Sequence, residues 1–486
     1  MIEINAKIFH TQTIMYRWVE HDPYELLDSC QACIEHAVAN FVKLGYQTND
    51  IKGIGITNQR ETTIAWDKQT GEPLYPAIVW SDGRTQQTVE QLEKTSSLGR
   101  DALRSICGLP LASYFSGVKL RWMLDHVPAV MQAKENHRLV FSTVDSWLIY
   151  HLTGGLDHDG ILVTDVTNAS RTMLMDIHSL KWSEEAIKFF GFEGIQLPKI
   201  MPSSCIYGHL YKGVLSGTAI AGCLGDQQAA LVGQKCFQKG TAKNTYGTGC
   251  FMLFNLGTSA VMSNNGLLTT IAYQLGADQP VIYALEGSVA VGGSSIQWLR
   301  DNLGLVADHH ELNQLAQSVE DTGGVYFVTA FSGLLAPYWQ VGARGTICGL
   351  TQYTTRAHIA RAALEAACYQ TKAVLDCMNN DSGTSLVALK VDGGLSNSDV
   401  CMQIQANLLN GVKVMRPKMR ETTALGSAIA AGLALGVWKD VDDLANVNIK
   451  DESVFTSQIS PETTQKLYQG WKKAVSRSLN WVECQD

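Results

Sequence analysis

Short apolar runs along the chain alternate with stretches whose apolar residues return every three or four positions, the pattern of strands interleaved with helices. Residues 51–56 read as a strand and 62–67 as a second, with Thr70-Gly71 turning the chain toward a third at 77–80. Residues 116–127 read as a helix carrying Val118, Leu120, Trp122 and Leu124, and 215–224 as an apolar strand running directly into Gly225-Asp226-Gln227-Gln228. In the second half, 249–255 and 281–285 read as strands. A long helix fits 355–378, with Ile359, Ala363, Ala366 and Cys377 on its apolar face. Residues 386–391 form a strand that ends at Asp392-Gly393-Gly394, and an Ala/Gly-rich helix follows from Thr423. Strands and helices alternating through two similar halves predict two α/β lobes with a cleft between them and a boundary near residue 230.

A chain of 486 residues exceeds what a single core usually fills, which agrees with two lobes. It is 45% hydrophobic and 17% charged, ordinary for a globular protein, and a net charge of -8 argues against broad nucleic-acid binding. The longest nearly uncharged stretch, 424–438, is too short to span a bilayer and is expected to be a buried helix. No transmembrane segment and no signal peptide are expected. Twelve cysteines lack a framework spacing, and Cys30 and Cys33 fall in a helical pattern with Leu26, Leu27, Ile34 and Val38. Packing rather than redox or zinc chemistry is the expected role, and reduced thiols point to the cytoplasm.

Neither a Walker-type phosphate loop nor the protein-kinase signatures occur. Thr245-Tyr246-Gly247-Thr248-Gly249 is the nearest glycine-rich candidate: either a phosphate-approaching turn or an ordinary hairpin. Asp392-Gly393-Gly394 closes a strand where ligands bind in open α/β sheets, or is a plain turn. Arg60-Glu61, after Asn58 and Gln59, can grip neighbouring polyol hydroxyls, the cation donating and the carboxylate accepting, or can be a surface ion pair. Asp226, directly after an apolar strand, suits a general base or a Mg²⁺ contact, or a helix N-cap. Asp308-His309-His310-Glu311 is discounted as a metal cluster, because adjacent histidines on a helix point different ways. Asp157-His158-Asp159-Gly160 reads as a solvated loop tip.

These signals fall in one order that resembles the FGGY family of carbohydrate kinases. Asn58-Gln59-Arg60-Glu61-Thr62-Thr63 is similar to its glycerol-branch substrate motif, and residues 114–122 to the first FGGY signature. Thr164-Asp165-Val166-Thr167-Asn168-Ala169-Ser170-Arg171, Gly225-Asp226-Gln227-Gln228, 243–251, Ala336-Pro337-Tyr338-Trp339, Val391-Asp392-Gly393-Gly394 and 421–426 continue the series over nearly the whole chain from Trp18. The resemblance implies a two-lobed, actin-like (ribonuclease H-like) ATPase fold. Residues 1–230 would form the polyol-binding lobe and 231–486 the nucleotide-binding lobe. It implies ATP-dependent phosphorylation of glycerol to sn-glycerol 3-phosphate, the opening step of glycerol catabolism, with Mg²⁺ as cofactor and a homo-oligomeric enzyme. By the family pattern Arg60, Glu61, Tyr114 and Asp226 would hydrogen-bond glycerol, with Gln227 assisting. Trp80 and Phe251 would pack its carbons. Asp226 would take the hydroxyl proton and contact the metal through water. Thr248 and Gly249 would hold phosphate oxygens, while Gly293, Gln297, Gly394 and Leu395 would line the nucleotide site.

The likeness has departures. The family opens on a strand–turn–strand bearing a phosphate-contacting loop, whereas Met1-Ile2-Glu3-Ile4-Asn5 resembles the next strand, so the first lobe is expected to lack its N-terminal strands. The usual adenine-side Asn aligns with Ser398, beside Asn397. Residues 211–218 lack the family's Gly/Arg-rich regulatory loop. Two other readings therefore stand beside the kinase: a catalytically impaired polyol-binding or interaction protein, and a shortened product of a longer gene.

Overall fold

The computed structural model describes residues 12–15, 18–449 and 451–482. The reading of Met1–Asn5 as a strand falls outside the described residues. The chain forms two compact α/β units. The first takes in the chain through Gly233 with Thr269–Tyr283 and Thr423–Leu444; the second takes in Gln234–Leu268, Ala284–Thr422 and the chain from Ala445. A single cut near residue 230 thus misses two later segments that pack with the first half.

The reason lies partly in glycine. The helix Thr422–Ala434 is the uncharged Ala/Gly-rich stretch, and it lies against the first unit's sheet. A Cβ on Gly55 would meet the Ser427 carbonyl oxygen at 2.1 Å, and one on Gly426 the Ala229 carbonyl oxygen at 1.8 Å. Backbone approaches that close need residues without side chains. No helix among the described residues is long and apolar enough to cross a membrane.

In that sheet Ala219–Gly225 pairs in parallel with Gly53–Asn58 and antiparallel with Ser204–His209. The register sets Gly225 opposite Asn58, so the two parallel strands end side by side. Helix Ser116–His126 follows the expected pattern, as does Pro23–Lys43, which carries Cys30 and Cys33, and Asp226–Gly233 forms a further helix. Burial pushes the Cys30 thiol up to about 12, which leaves it a packing residue.

One aromatic cluster of this unit carries a pH consequence. His151 stands 4.0 Å from the Trp147 ring centroid, flanked by Tyr24 and Tyr150, and its Nε2 has no hydrogen-bond partner among the described residues. Burial pushes its pKa down to about 4. The unfolded chain binds a proton near the ordinary histidine value of about 6.5, while the folded chain resists it. Stability is therefore expected to fall as pH drops from about 6.5 toward 4. His151→Phe should flatten that slope in melting curves taken across the range.

In the second unit Cys250–Gly257, Thr241–Tyr246, Ala388–Asp392, Lys413–Arg416 and Ser453–Phe455 are successive neighbours in one sheet. The first two form an antiparallel hairpin, and Thr241–Tyr246 runs parallel to Ala388–Asp392 with Thr245 opposite Asp392. The long helix spans Arg356–Ser382 and stops at Gly383, whose φ of 61° suits glycine.

Candidate active site

The first unit gathers Arg60, Glu61, Trp80, Tyr114, Asp226 and Gln227. Arg60 and Glu61 follow the end of Gly53–Asn58, and Asp226 opens the helix that follows the neighbouring strand Ala219–Gly225. Side-by-side carboxyl ends are where open α/β sheets present ligand-binding groups. Arg60 lies across Gly225, where a Cβ would meet its Cγ at 2.6 Å. Its Nε stands 3.3 Å from Asp226 Oδ1 and 3.8 Å from Glu61 Oε1. Arg60 and Glu61 are only 2% and 1% exposed, which rules out a surface ion pair, whereas the Asp226 side chain is 36% exposed.

A further layer of buried charge holds this arrangement. Glu61 adopts a positive φ of 59°, and its carbonyl accepts the hydroxyls of Thr63 and Ser116 at 3.1 Å each. The Arg171 Nε donates to Glu61 Oε1 at 2.6 Å from a fully buried position. Lys119 is also fully buried and donates to the Tyr114 carbonyl. Burial pushes it down to about 7, opposed by the charges of Glu61 and Asp82. Trp80 and Tyr114 meet edge to face with ring centroids 5.8 Å apart, and both are half-buried. Asp226 Oδ1 accepts the Gln227 N–H at 2.8 Å, and its Oδ2 accepts Gln227 Nε2 at 3.0 Å. The result is one partly open carboxylate beside a buried cation, with the Tyr114 ring joined to the same cluster through Arg171, whose guanidinium stands 5.8 Å from its centroid.

The second unit holds a cavity of about 400 Å³ lined by Thr248, Gly293, Gln297, Gly394, Leu395 and Ser398, with Tyr246, Gly247 and Asn397. Gly247-Thr248-Gly249 is the hairpin turn between Thr241–Tyr246 and Cys250–Gly257, and it is pinned to the start of helix Ser294–Asp301. The Thr248 carbonyl accepts the N–H groups of Gly292 at 2.8 Å and Ser294 at 3.1 Å. Among the described residues the N–H groups of Thr248 and Gly249 donate to no protein acceptor. The glycine-rich segment is therefore a hairpin turn that carries two unengaged N–H groups. Gly249 itself stands outside the cavity lining, and Phe251 is carried on the strand Cys250–Gly257. Asp392, at the end of Ala388–Asp392, is held by neighbouring side chains: its Oδ2 accepts Gln234 Nε2 at 3.0 Å and the Thr422 hydroxyl.

Three residues of the cavity wall were not expected there, although His309 was weighed and discounted as a metal ligand. His309, Leu312 and Asn313 line it from the helix His309–Gln317. Their i, i+3, i+4 spacing was the available signal, since it places them on one helix face. Ser398 hydrogen-bonds Asn313 Oδ1 and caps the helix Asp399–Leu409 through the Cys401 N–H.

The FGGY family of carbohydrate kinases matches this chain twice, through its N-terminal domain at residues 1–233 and its C-terminal domain at residues 242–435. The chain belongs to that family. Among its curated relatives, a glycerol kinase of Chloroflexus aggregans is 53% identical over 466 residues, covering 96% of this chain and 92% of the relative. A crystal structure of Plasmodium falciparum glycerol kinase with ADP is 36% identical with a TM-score of 0.89, covering 97% of this chain and 92% of that one. A gluconate kinase of Lactobacillus acidophilus, 22% identical with a TM-score of 0.82 over 96% of this chain and 91% of its own, shares the fold. The fold is thus the two-domain, actin-like ATPase fold of these kinases.

Proposed function

We infer that this chain transfers the γ-phosphoryl group of ATP to a terminal hydroxyl of glycerol, giving sn-glycerol 3-phosphate and ADP. The observation that carries the reading is the half-open Asp226 carboxylate beside the buried Arg60–Glu61 pair, in a chain 53% identical to a glycerol kinase. Arg60 would donate to glycerol hydroxyls, and Glu61 would accept from them. Trp80 and Tyr114 would pack the carbons, with the Tyr114 hydroxyl as a further donor; Phe251 would add an apolar face and Gln227 would steady Asp226. As the hydroxyl oxygen forms its bond to phosphorus and the bond to ADP breaks, Asp226 would take the hydroxyl proton.

In the second unit the unengaged N–H groups of Thr248 and Gly249, with the Thr248 hydroxyl, would hold phosphate oxygens without reorganising during transfer. Gly293, Gln297, Gly394, Leu395 and Ser398 would wall the nucleotide. Mg²⁺ usually binds through one or two carboxylates plus substrate phosphates, and a single partly exposed carboxylate fits that habit. Asp226 would hold it through water, and it would supply charge neutralisation on the phosphates when bound. We place the enzyme in the cytoplasm as a homo-oligomer, by family likeness.

Glycerol-dependent ADP release in the presence of ATP and Mg²⁺ is the expected result. Release that ignores glycerol, or responds equally to gluconate or xylulose, would overturn the substrate assignment. Gly249→Ala is expected to strike the nucleotide side alone. A Cβ there would meet the Val289 carbonyl oxygen at 2.6 Å, so the hairpin must shift. The KM for ATP should rise about tenfold or more, as for a lost phosphate contact. Calorimetric glycerol affinity should stay unchanged.

A further inference from the structure

The sequence block Thr164–Arg171 contributes Arg171 to the site described above, and its remaining polar residues are not among those expected to bind or react. They surround a buried carboxylate. Asp165 is fully buried and caps the short helix Val166–Ala169. Its Oδ1 accepts the Thr167 hydroxyl at 2.8 Å, the Asn168 N–H at 2.8 Å and Asn168 Nδ2 at 2.9 Å. Its Oδ2 accepts the Thr167 N–H at 3.0 Å and the Ser203 hydroxyl at 2.8 Å. Asp145 and Cys223 lie close enough to make a metal-like trio. Five hydrogen bonds already fill the Asp165 oxygens, Asp145 is taken by Thr143 and Thr164, and burial pushes the Cys223 thiol well up and keeps it protonated, so the trio is poorly suited to a metal.

The two side chains that Asp165 orders each reach one of the paired strand ends. The Thr167 hydroxyl, having donated to Asp165, accepts the Gly225 N–H at 2.9 Å, one residue before Asp226. Asn168 forms a reciprocal amide pair with Asn58: Asn58 Nδ2 donates to Asn168 Oδ1 at 2.9 Å, and Asn168 Nδ2 to Asn58 Oδ1 at 3.1 Å. Asn58 Nδ2 also donates to the Gln59 carbonyl at 3.0 Å, one residue before Arg60. One carboxylate therefore fixes the direction of two hydrogen-bond arms. One arm ends beside the proposed proton acceptor, and the other ends beside the proposed polyol-gripping arginine.

We propose that Asp165 is a positioning residue that sets Asp226 and Arg60 relative to each other, through Thr167 toward the chemical step and through Asn168–Asn58 toward polyol binding. The proposal rests on the glycerol-phosphorylating reading of the same site. An amide cannot replace the carboxylate here, because in Asp165→Asn the new NH₂ would face groups that are themselves donors. Geometry near a reacting group governs rate steeply, so small displacements of either arm should be visible in kinetics.

The arms make the test. Thr167→Val removes the hydroxyl at nearly constant volume; kcat should fall about tenfold or more with the KM for glycerol nearly unchanged, and Thr167→Ser should restore it. Asn58→Ala should instead raise the KM for glycerol, with the smaller change in kcat. Asp165→Asn should show both losses, and adding Thr167→Val to it should cost little more, because the hydroxyl has already lost its orienting acceptor. Native-state hydrogen exchange provides a readout independent of turnover: in Thr167→Val the Gly225 amide should exchange about tenfold faster or more, while amides of helix Pro23–Lys43 do not. If Asp165→Asn does not fold, Thr167→Val and Asn58→Ala still decide. Lowered melting temperatures with unchanged kcat, KM and Gly225 exchange would overturn the proposal. Should the wild type bind glycerol without turning it over, the proposed function fails separately. The split is then read as weaker calorimetric glycerol binding in Asn58→Ala but not in Thr167→Val, and its absence sinks the positioning role.

Discussion

Asp226→Asn should lower kcat by about a hundred- to ten-thousandfold, the usual worth of a positioned proton acceptor, while glycerol still binds. The substitution keeps the shape and removes the basic oxygen. Gln227 can still hydrogen-bond the side chain, and Glu61 and Arg171 are untouched, so the buried part of the proposed polyol subsite persists. Arg60 loses the carboxylate that stands 3.3 Å from its Nε, which predicts a change of a few-fold in the KM for glycerol. Steady-state kinetics with ATP saturating separates the two effects. A kcat within about tenfold of wild type would mean that the proton leaves by another route and that Asp226 only binds.

Why Asp226 was legible in the sequence and His309 was not has a physical basis. The strand running into Gly225-Asp226 is a continuous apolar run, as expected for a central strand buried on both faces, and Asp226 follows at its end. Arg60-Glu61 follows the same logic on the neighbouring strand. Gly393 resembles them: its φ of 84° and its contact with the Tyr246 carbonyl leave room only for glycine. By contrast His309, Leu312 and Asn313 belong to an exposed amphipathic helix, where the i, i+3, i+4 face toward a cavity looks like any half-buried face. The strand Thr241–Tyr246 was missed as well. It carries Lys243 and Asn244, polar residues that suggest a loop, yet both are fully buried. Lys243 donates to the Thr245 hydroxyl at 3.0 Å, and Asn244 to the Thr371 hydroxyl at 3.2 Å. Tertiary partners overrode the local pattern there. The return of Thr423–Leu444 to the first unit depended on glycine contacts between segments hundreds of residues apart, which no local periodicity encodes.

Glu61→Ala should be the most damaging single change to both stability and substrate binding. Glu61 is 1% exposed, and it is the 2.6 Å partner of the fully buried Arg171 as well as a neighbour of Arg60. Removing one member of a buried ion pair typically costs about 3–5 kcal/mol, since the remaining charge is left in a poor solvent. A charged hydrogen bond to substrate is worth about 1.5–3 kcal/mol, so the KM for glycerol should rise by about ten- to a hundredfold. The backbone gives a control. At a φ of 59° any residue with a Cβ carries left-handed strain of about 1–2 kcal/mol, from which glycine is exempt. Glu61→Gly should therefore melt at a higher temperature than Glu61→Ala, while both lose glycerol affinity to the same degree. Equal melting of the two variants would show that the carboxylate, not the strained turn, dominates local stability. Unchanged glycerol affinity in both would remove Glu61 from the polyol subsite and leave Arg60 and Asp226 to bind the hydroxyls without it.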